Sequence, residues 1–241
     1  MTAVEDAPAS APATTGVPMS QEQARELATQ WANEQAARLT DRVQNQLTKQ
    51  NGHANGGLAP RIGAPTTYLG GPPYVAFDVV ATSPITVAGP QLIYPPSKII
   101  PAGSLSFLVA FIYTNPSTGP GWAVPASISL GARPWRMSLD QANLTTGGMQ
   151  PIEVVNDVFP SPAPMITPVL FLLPTPDPGA DPWLIEANVT VYVDVPAQPF
   201  AAFATSFYDI DNDPGFPFFP PIPSETAGWR YDLSNRYLIF P

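Results

Sequence analysis

Three carboxylates on alternate positions, Asp209, Asp211 and Asp213 in "FYDIDNDPGFPFFPPIPSE" (207–225), are the group in this sequence most able to hold a metal ion. Alternating acids supply the first oxygen ligands of a calcium loop, and carboxylates this close repel one another unless a cation neutralises them. The EF-hand pattern also needs a glycine at its sixth position and a bidentate glutamate at its twelfth. Here Pro214 and Pro220 hold those places and no helical pattern flanks the loop, which excludes an EF-hand. Two readings stay open. Either the acids converge on calcium in a looser loop, or Asp and Asn form the turn that leaves a strand through "NDPG". Calcium is the one cofactor to which these residues point.

Other chemistry is scarce. His53 is the only histidine, and "NGHANGGLAP" (51–60) offers nothing to fix its ring for proton transfer or metal binding. With no cysteine either, disulfides, thiol nucleophiles and two-histidine zinc sites are excluded, and a Ser-His-Asp arrangement is not expected. No P-loop, GxSxG or GxGxxG run occurs. Paired carboxylates from distant strands are the remaining route to hydrolysis, and no pair stands out. Asp78 shares a strand face with Tyr74, Ala76 and Val80, where a buried acid needs a partner. Trp122, Trp135, Trp183 and Trp229 can stack on sugar rings, or they can fill a core. Asn143-Leu-Thr145 and Asn188-Val-Thr190 match the glycosylation triplet. The expectation is a protein that is not an enzyme.

The background composition sharpens this. Across 241 residues, 33 are proline and only 12% are charged, while 44% are hydrophobic. Proline lacks the backbone donor a helix needs, so such a chain is built mainly of short strands and turns around a sizeable apolar core. A net charge of −9, with Lys49 and Lys98 as the only lysines, argues against nucleic acid and against a polybasic membrane patch. The longest strongly apolar run, "LVAFIY" (108–113), is far short of the roughly 20 residues of a spanning helix. "MTAVEDAPASAPATTGVPMS" has neither the basic start nor the apolar middle of a secretory leader. The expected setting is therefore the cytoplasm or a soluble assembly, with leaderless export the other route.

The chain divides into an Ala/Pro-rich tail (1–19), an amphipathic helix (20–50), a Gly/Asn linker (51–60) and a β domain (61–241). Ser20 with Gln23 makes a capping box at the helix start, and Ala24, Leu27, Ala28, Trp31, Leu39, Val43 and Leu47 make one narrow apolar stripe. Gln35 interrupts that stripe, so the helix is expected to dock on a partner or on its own β domain rather than to form a coiled coil. From residue 61 the period falls to two. In 183–195, Ile185, Ala187, Val189, Val191, Val193 and Val195 face inward against Glu186, Asn188, Thr190, Tyr192 and Asp194. In 104–114, Leu105, Phe107, Val109, Phe111 and Tyr113 are expected inward, and Leu108, Ala110 and Ile112 make the opposite face apolar as well. A strand of this kind is covered on both sides.

Further strands are expected at 74–81, 91–95, 126–130, 135–139, 152–159, 169–173, 200–208 and 236–240. The whole reads as an antiparallel β-sandwich of immunoglobulin-like or jelly-roll type behind one long helix. "FPFFPPIP" (216–223) spaces Phe216, Phe218, Phe219 and Ile222 with prolines, which gives an extended apolar segment suited to covering a sheet edge or to assembly. The expected function is structural. The chain self-assembles as a homo-oligomer, or docks on another protein, through Leu27, Trp31, Leu39, Val43 and Leu47, through Leu108 and Ile112, and through Phe216, Phe218 and Phe219. A calcium- or carbohydrate-binding module is the alternative, and a carboxylate-dependent hydrolase comes third.

Overall fold

The computed structural model describes residues 19–52, 77–89, 92–114, 126–194, 200–203, 205–207 and 235–241. Helix α1 spans Gln21–Gly52. Its start is closed as the sequence predicts: the Gln23 amide donates to Ser20 Oγ (3.2 Å), and the Ser20 amide donates to Gln23 Oε1 (3.0 Å). The helix runs two residues beyond the expected end at 50, into the Asn51-Gly52 pair assigned to the linker.

The strands follow in chain order. They are β1 (Phe77–Thr82), β2 (Ile85–Gly89), β3 (Leu92–Tyr94), β4 (Ile99–Pro101) and β5 (Leu105–Thr114). After the short helix α2 (Ala126–Ser129) come β6 (Pro134–Asn143), β7 (Gly148–Met149), β8 (Glu153–Val158), β9 (Ile166–Leu173) and β10 (Trp183–Val193). The last are β11 (Phe200–Phe203), β12 (Thr205–Phe207) and β13 (Asn235–Phe240). They form two sheets. The first runs β12-β1-β5-β2-β3, with β9 on the other edge of β5; the second runs β4-β13-β10-β6-β7, with β11 on β10 and β8 on β6. Most pairings are antiparallel, but β1–β12 and β4–β13 are parallel, which the expected all-antiparallel pattern did not include.

Strand β5 explains how the layers stack. Its odd residues Phe107, Val109, Phe111 and Tyr113 are buried in one cluster with Ala24, Ala28, Ala32, Ala36 and Leu39 of α1. Its even residues Leu108, Ala110 and Ile112 are buried in a second cluster with Met137, Leu139, Val189 and Val191 of the second sheet. The odd face, expected to look into the sandwich, therefore meets the helix, and the even face forms the centre between the sheets. The alanines recur every fourth residue, one helical turn apart, so their short side chains let the backbone of α1 approach the sheet. Phenylalanines from β5 fill the space that remains, and each fully buried aromatic contributes on the order of 1.5–3 kcal/mol.

Three differences from the sequence reading have local causes. "ASISL" (126–130) was expected as a strand but turns as α2, with Leu130 buried behind it, because a five-residue apolar run carries no usable period. Strands β2, β4 and β7 were not expected; they are short, and β4 ends on a proline. The expected strand 200–208 divides into β11, which pairs with β10, and β12, which pairs with β1, so it serves both sheets.

Candidate functional site

In β10 the inward residues Ile185, Ala187, Val189, Val191 and Val193 are buried, as the alternation predicts, and Asn188 and Tyr192 are exposed on the other face. The ladder extends that outer face across its neighbours in register. Asn156, Arg136 and Tyr192 form one row over β8, β6 and β10, and Val154, Ser138 and Thr190 form the next. Asp140 stands beside Asn188, Glu186 beside Arg236, and Leu184 beside Leu238 and Ile99. Arg236 donates from both Nε and Nη2 to Glu186 Oε2 at 2.8 Å. The first sheet has its outer face covered by α1. Among the described residues nothing covers that of the second sheet.

At one end of this face lies an open depression of about 660 Å³, bordered by Arg136, Asn156, Asp157, Tyr192 and Asp194. Trp135 forms part of its wall while remaining 5% exposed, and its ring lies 6.0 Å from that of Phe159 at 39°. The depression thus sets the Tyr192 ring and the aliphatic Pro134 and Val158 beside charged and amide side chains.

Carboxylates hold the sheet edge at this side. The Phe159 amide donates to the Arg133 carbonyl, so ladder alternation turns the amides of Val154, Asn156 and Val158 away from β6. The outward Val158 amide donates to Asp157 Oδ1 at 2.7 Å. Glu153 accepts the Leu172 amide of β9 and lies 3.7 Å from Arg25 of α1. Burial raises the Glu153 carboxyl above its ordinary value, and the Leu172 amide and the Arg25 guanidinium oppose that rise. One carboxylate thus joins both sheets and the helix.

The structure distributes the expected contact residues rather than gathering them. Leu39, Leu108 and Ile112 are 1%, 0% and 0% exposed inside the chain's own core, so in this fold they are not free for an intermolecular contact. Leu27 and Trp31 are partly buried against the same helix-side cluster, so the described part of the stripe packs on the chain's own β domain, one of the two expected placements. The side chains of Val43 and Leu47 lie outside the described residues, as do Asp209, Asp211, Asp213, Phe216, Phe218, Phe219 and His53. Asp78 sits opposite Tyr113 in the β1–β5 ladder. Of the four tryptophans read as either a sugar platform or core filling, Trp135 is buried and Trp183 is partly buried against the core between the sheets, which is the second of those readings; Trp122 and Trp229 lie outside the described residues. Asn143 is 2% exposed, its Oδ1 accepting the amides of Thr145 and Thr146, which makes the first glycosylation triplet a turn anchor. Sequence reasoning found the outward residues of β10 and missed the matching ones on β6 and β8, because the partners of a strand are not written in its own period.

No protein-family model matches the chain, and no curated protein does. Among the described residues no helix is long and apolar enough to cross a membrane, and no three His, Cys, Asp or Glu side chains gather as metal ligands.

Proposed function

We propose that this chain is a non-catalytic assembly protein that associates with further copies of itself through the outer face of the second sheet. One observation carries the reading. That face and its rim expose Tyr192 (42%), Val158 (52%), Ile99 (56%) and Met149 (69%), whereas the corresponding face of the first sheet is under α1. Exposed apolar groups on a sheet face that the described residues leave uncovered suit a contact surface. The carboxylates at the β8 edge disfavour growth by strand addition, which leaves the face as the means of association. Whether the sandwich is counted as immunoglobulin-like or jelly-roll does not bear on this, since a fold alone implies no function.

The test is solution mass by light scattering after size exclusion, over a range of concentrations. The full chain is expected above the mass of a single copy, and Tyr192→Glu is expected at the single-copy mass with an unchanged far-UV spectrum. A full chain that stays monomeric throughout overturns the proposal. A second reading, carbohydrate binding, is favoured by the depression, where the exposed Tyr192 ring stands beside Arg136, Asn156 and Asp194. It predicts a thermal midpoint that rises with added oligosaccharide, because ligand binds only the native state.

A further inference from the structure

We infer that two copies meet face to face about a two-fold axis running across the strands through the Ser138–Thr190 row, so that Arg136 of each copy lies over Asp140 of the other. This rests on the assembly reading of the outer face and adds the partner and the register. The pattern on β6 points to it. Arg136, Ser138 and Asp140 occupy successive outward positions, with opposite charges on either side of a hydroxyl. Among the described residues the ion pairs are Arg25–Glu153 and Arg236–Glu186, and neither involves Arg136 or Asp140. The row between the two charges is uncharged on three adjacent strands: Val154, Ser138 and Thr190.

Sheets stacked face to face lie roughly 10 Å apart with their strands within about 30° of alignment, which leaves two directions for a two-fold axis centred on β6, along that strand or across it. An axis along β6 sets Arg136 against Arg136 and Asp140 against Asp140, and like charges at an interface are what partners are arranged to avoid. An axis across β6 through Ser138 sets each Arg136 over an Asp140. The same operation on β10 brings Tyr192 over Asn188, a ring on an amide. It also brings Asp194 over the Glu186–Arg236 pair, whose arginine already offsets the glutamate. Only the second axis leaves no like charges facing each other alone. An isologous contact of this kind is self-complementary, as a closed dimer requires.

Charge reversal tests the register directly. Arg136→Asp alone places two acids over two acids, and Asp140→Arg alone places two arginines over two arginines. Each single variant is expected to weaken self-association about tenfold or more, as like-charge contacts do. Mixing the two singles matches every pair again, so the mixture is expected to regain the mass that each lacks alone. The double variant R136D/D140R regains it by itself. Each is checked for unchanged far-UV spectrum and thermal midpoint, since both positions lie on the outer face. If the singles associate like the unmodified chain, or if the mixture and the double variant stay monomeric, the register is wrong. Association that Tyr192→Glu abolishes but charge reversal leaves untouched keeps the assembly reading and removes this one. An unmodified chain that is monomeric at every concentration removes both and leaves the face to a different partner, such as a glycan or another protein.

Discussion

The Nε2–H of Gln141 on β6 donates a 2.6 Å hydrogen bond to the Tyr237 hydroxyl on β13, across the intervening strand β10, with both residues buried. The pair puts a polar contact among the apolar side chains packed between the sheets. Tyr237→Phe leaves the Gln141 amide without this acceptor, and an unsatisfied buried donor costs about 1–3 kcal/mol. A second change, Gln141→Leu, is expected to recover part of that loss, which a double-mutant cycle in denaturant measures. Burial raises the Tyr237 hydroxyl far above its ordinary value of 10.0, and the Gln141 bond opposes the rise. Its contribution is therefore complete below pH 10 and lost as pH climbs past it, so at alkaline pH the unmodified chain loses stability faster than Tyr237→Phe.

Replacing Ala28 with Leu tests the close approach of α1. Ala28 is 0% exposed beneath the phenylalanines of β5, and inserted methylenes there are expected to destabilise by about 1–3 kcal/mol. Gln30→Leu on the exposed side of the same helix is expected to stay within about 0.5 kcal/mol of the unmodified chain. Urea midpoints of the two variants check this. Deleting α1 altogether exposes Phe107, Val109 and Phe111, so a shortened chain beginning at Leu58 is expected to aggregate on the light-scattering column.

Glu153→Gln isolates the cost of a partly buried charge. Because the folded carboxyl titrates above its ordinary 4.5, its contribution to stability is greatest below that pH and falls as pH rises through the folded value. The glutamine variant is expected to equal or exceed the unmodified chain at pH 7, by less than about 1 kcal/mol because solvent still screens a carboxyl that is only partly buried. The gap is expected to close below pH 4.5. A gap that widens on acidification would show the Arg25 attraction outweighing burial.

At the sheet edge, Asp157→Val removes the carboxylate that holds the outward Val158 amide and puts a second apolar side chain beside Val158 at the exposed end of β8. Uncapped apolar edges recruit further strands. The variant is expected to form large scattering species on warming, with little change in thermal midpoint, and a monodisperse sample at elevated temperature would count against the capping role.

Much of the molecule was open to reading residue by residue. The capping box at Ser20 and the inward face of β10 depend on neighbours a few positions away, and both appear in the fold as expected, while α1 runs two residues past its expected end. The doubly apolar pattern of 104–114 likewise established that β5 is covered twice. Its period could not say which face meets the helix and which the second sheet, since both faces are apolar and the choice belongs to the partners. Nor could it reveal that Leu108 and Ile112 are interior while Arg136, Asp140, Asn156 and Tyr192 share a surface. Those residues are up to 56 positions apart in sequence and become neighbours only when β6 pairs with β8 and β10. Local hydrogen bonding and period thus determine which way each side chain points along its own strand. Register, set by long-range pairing, decides what stands beside it, and only the tertiary structure contains that.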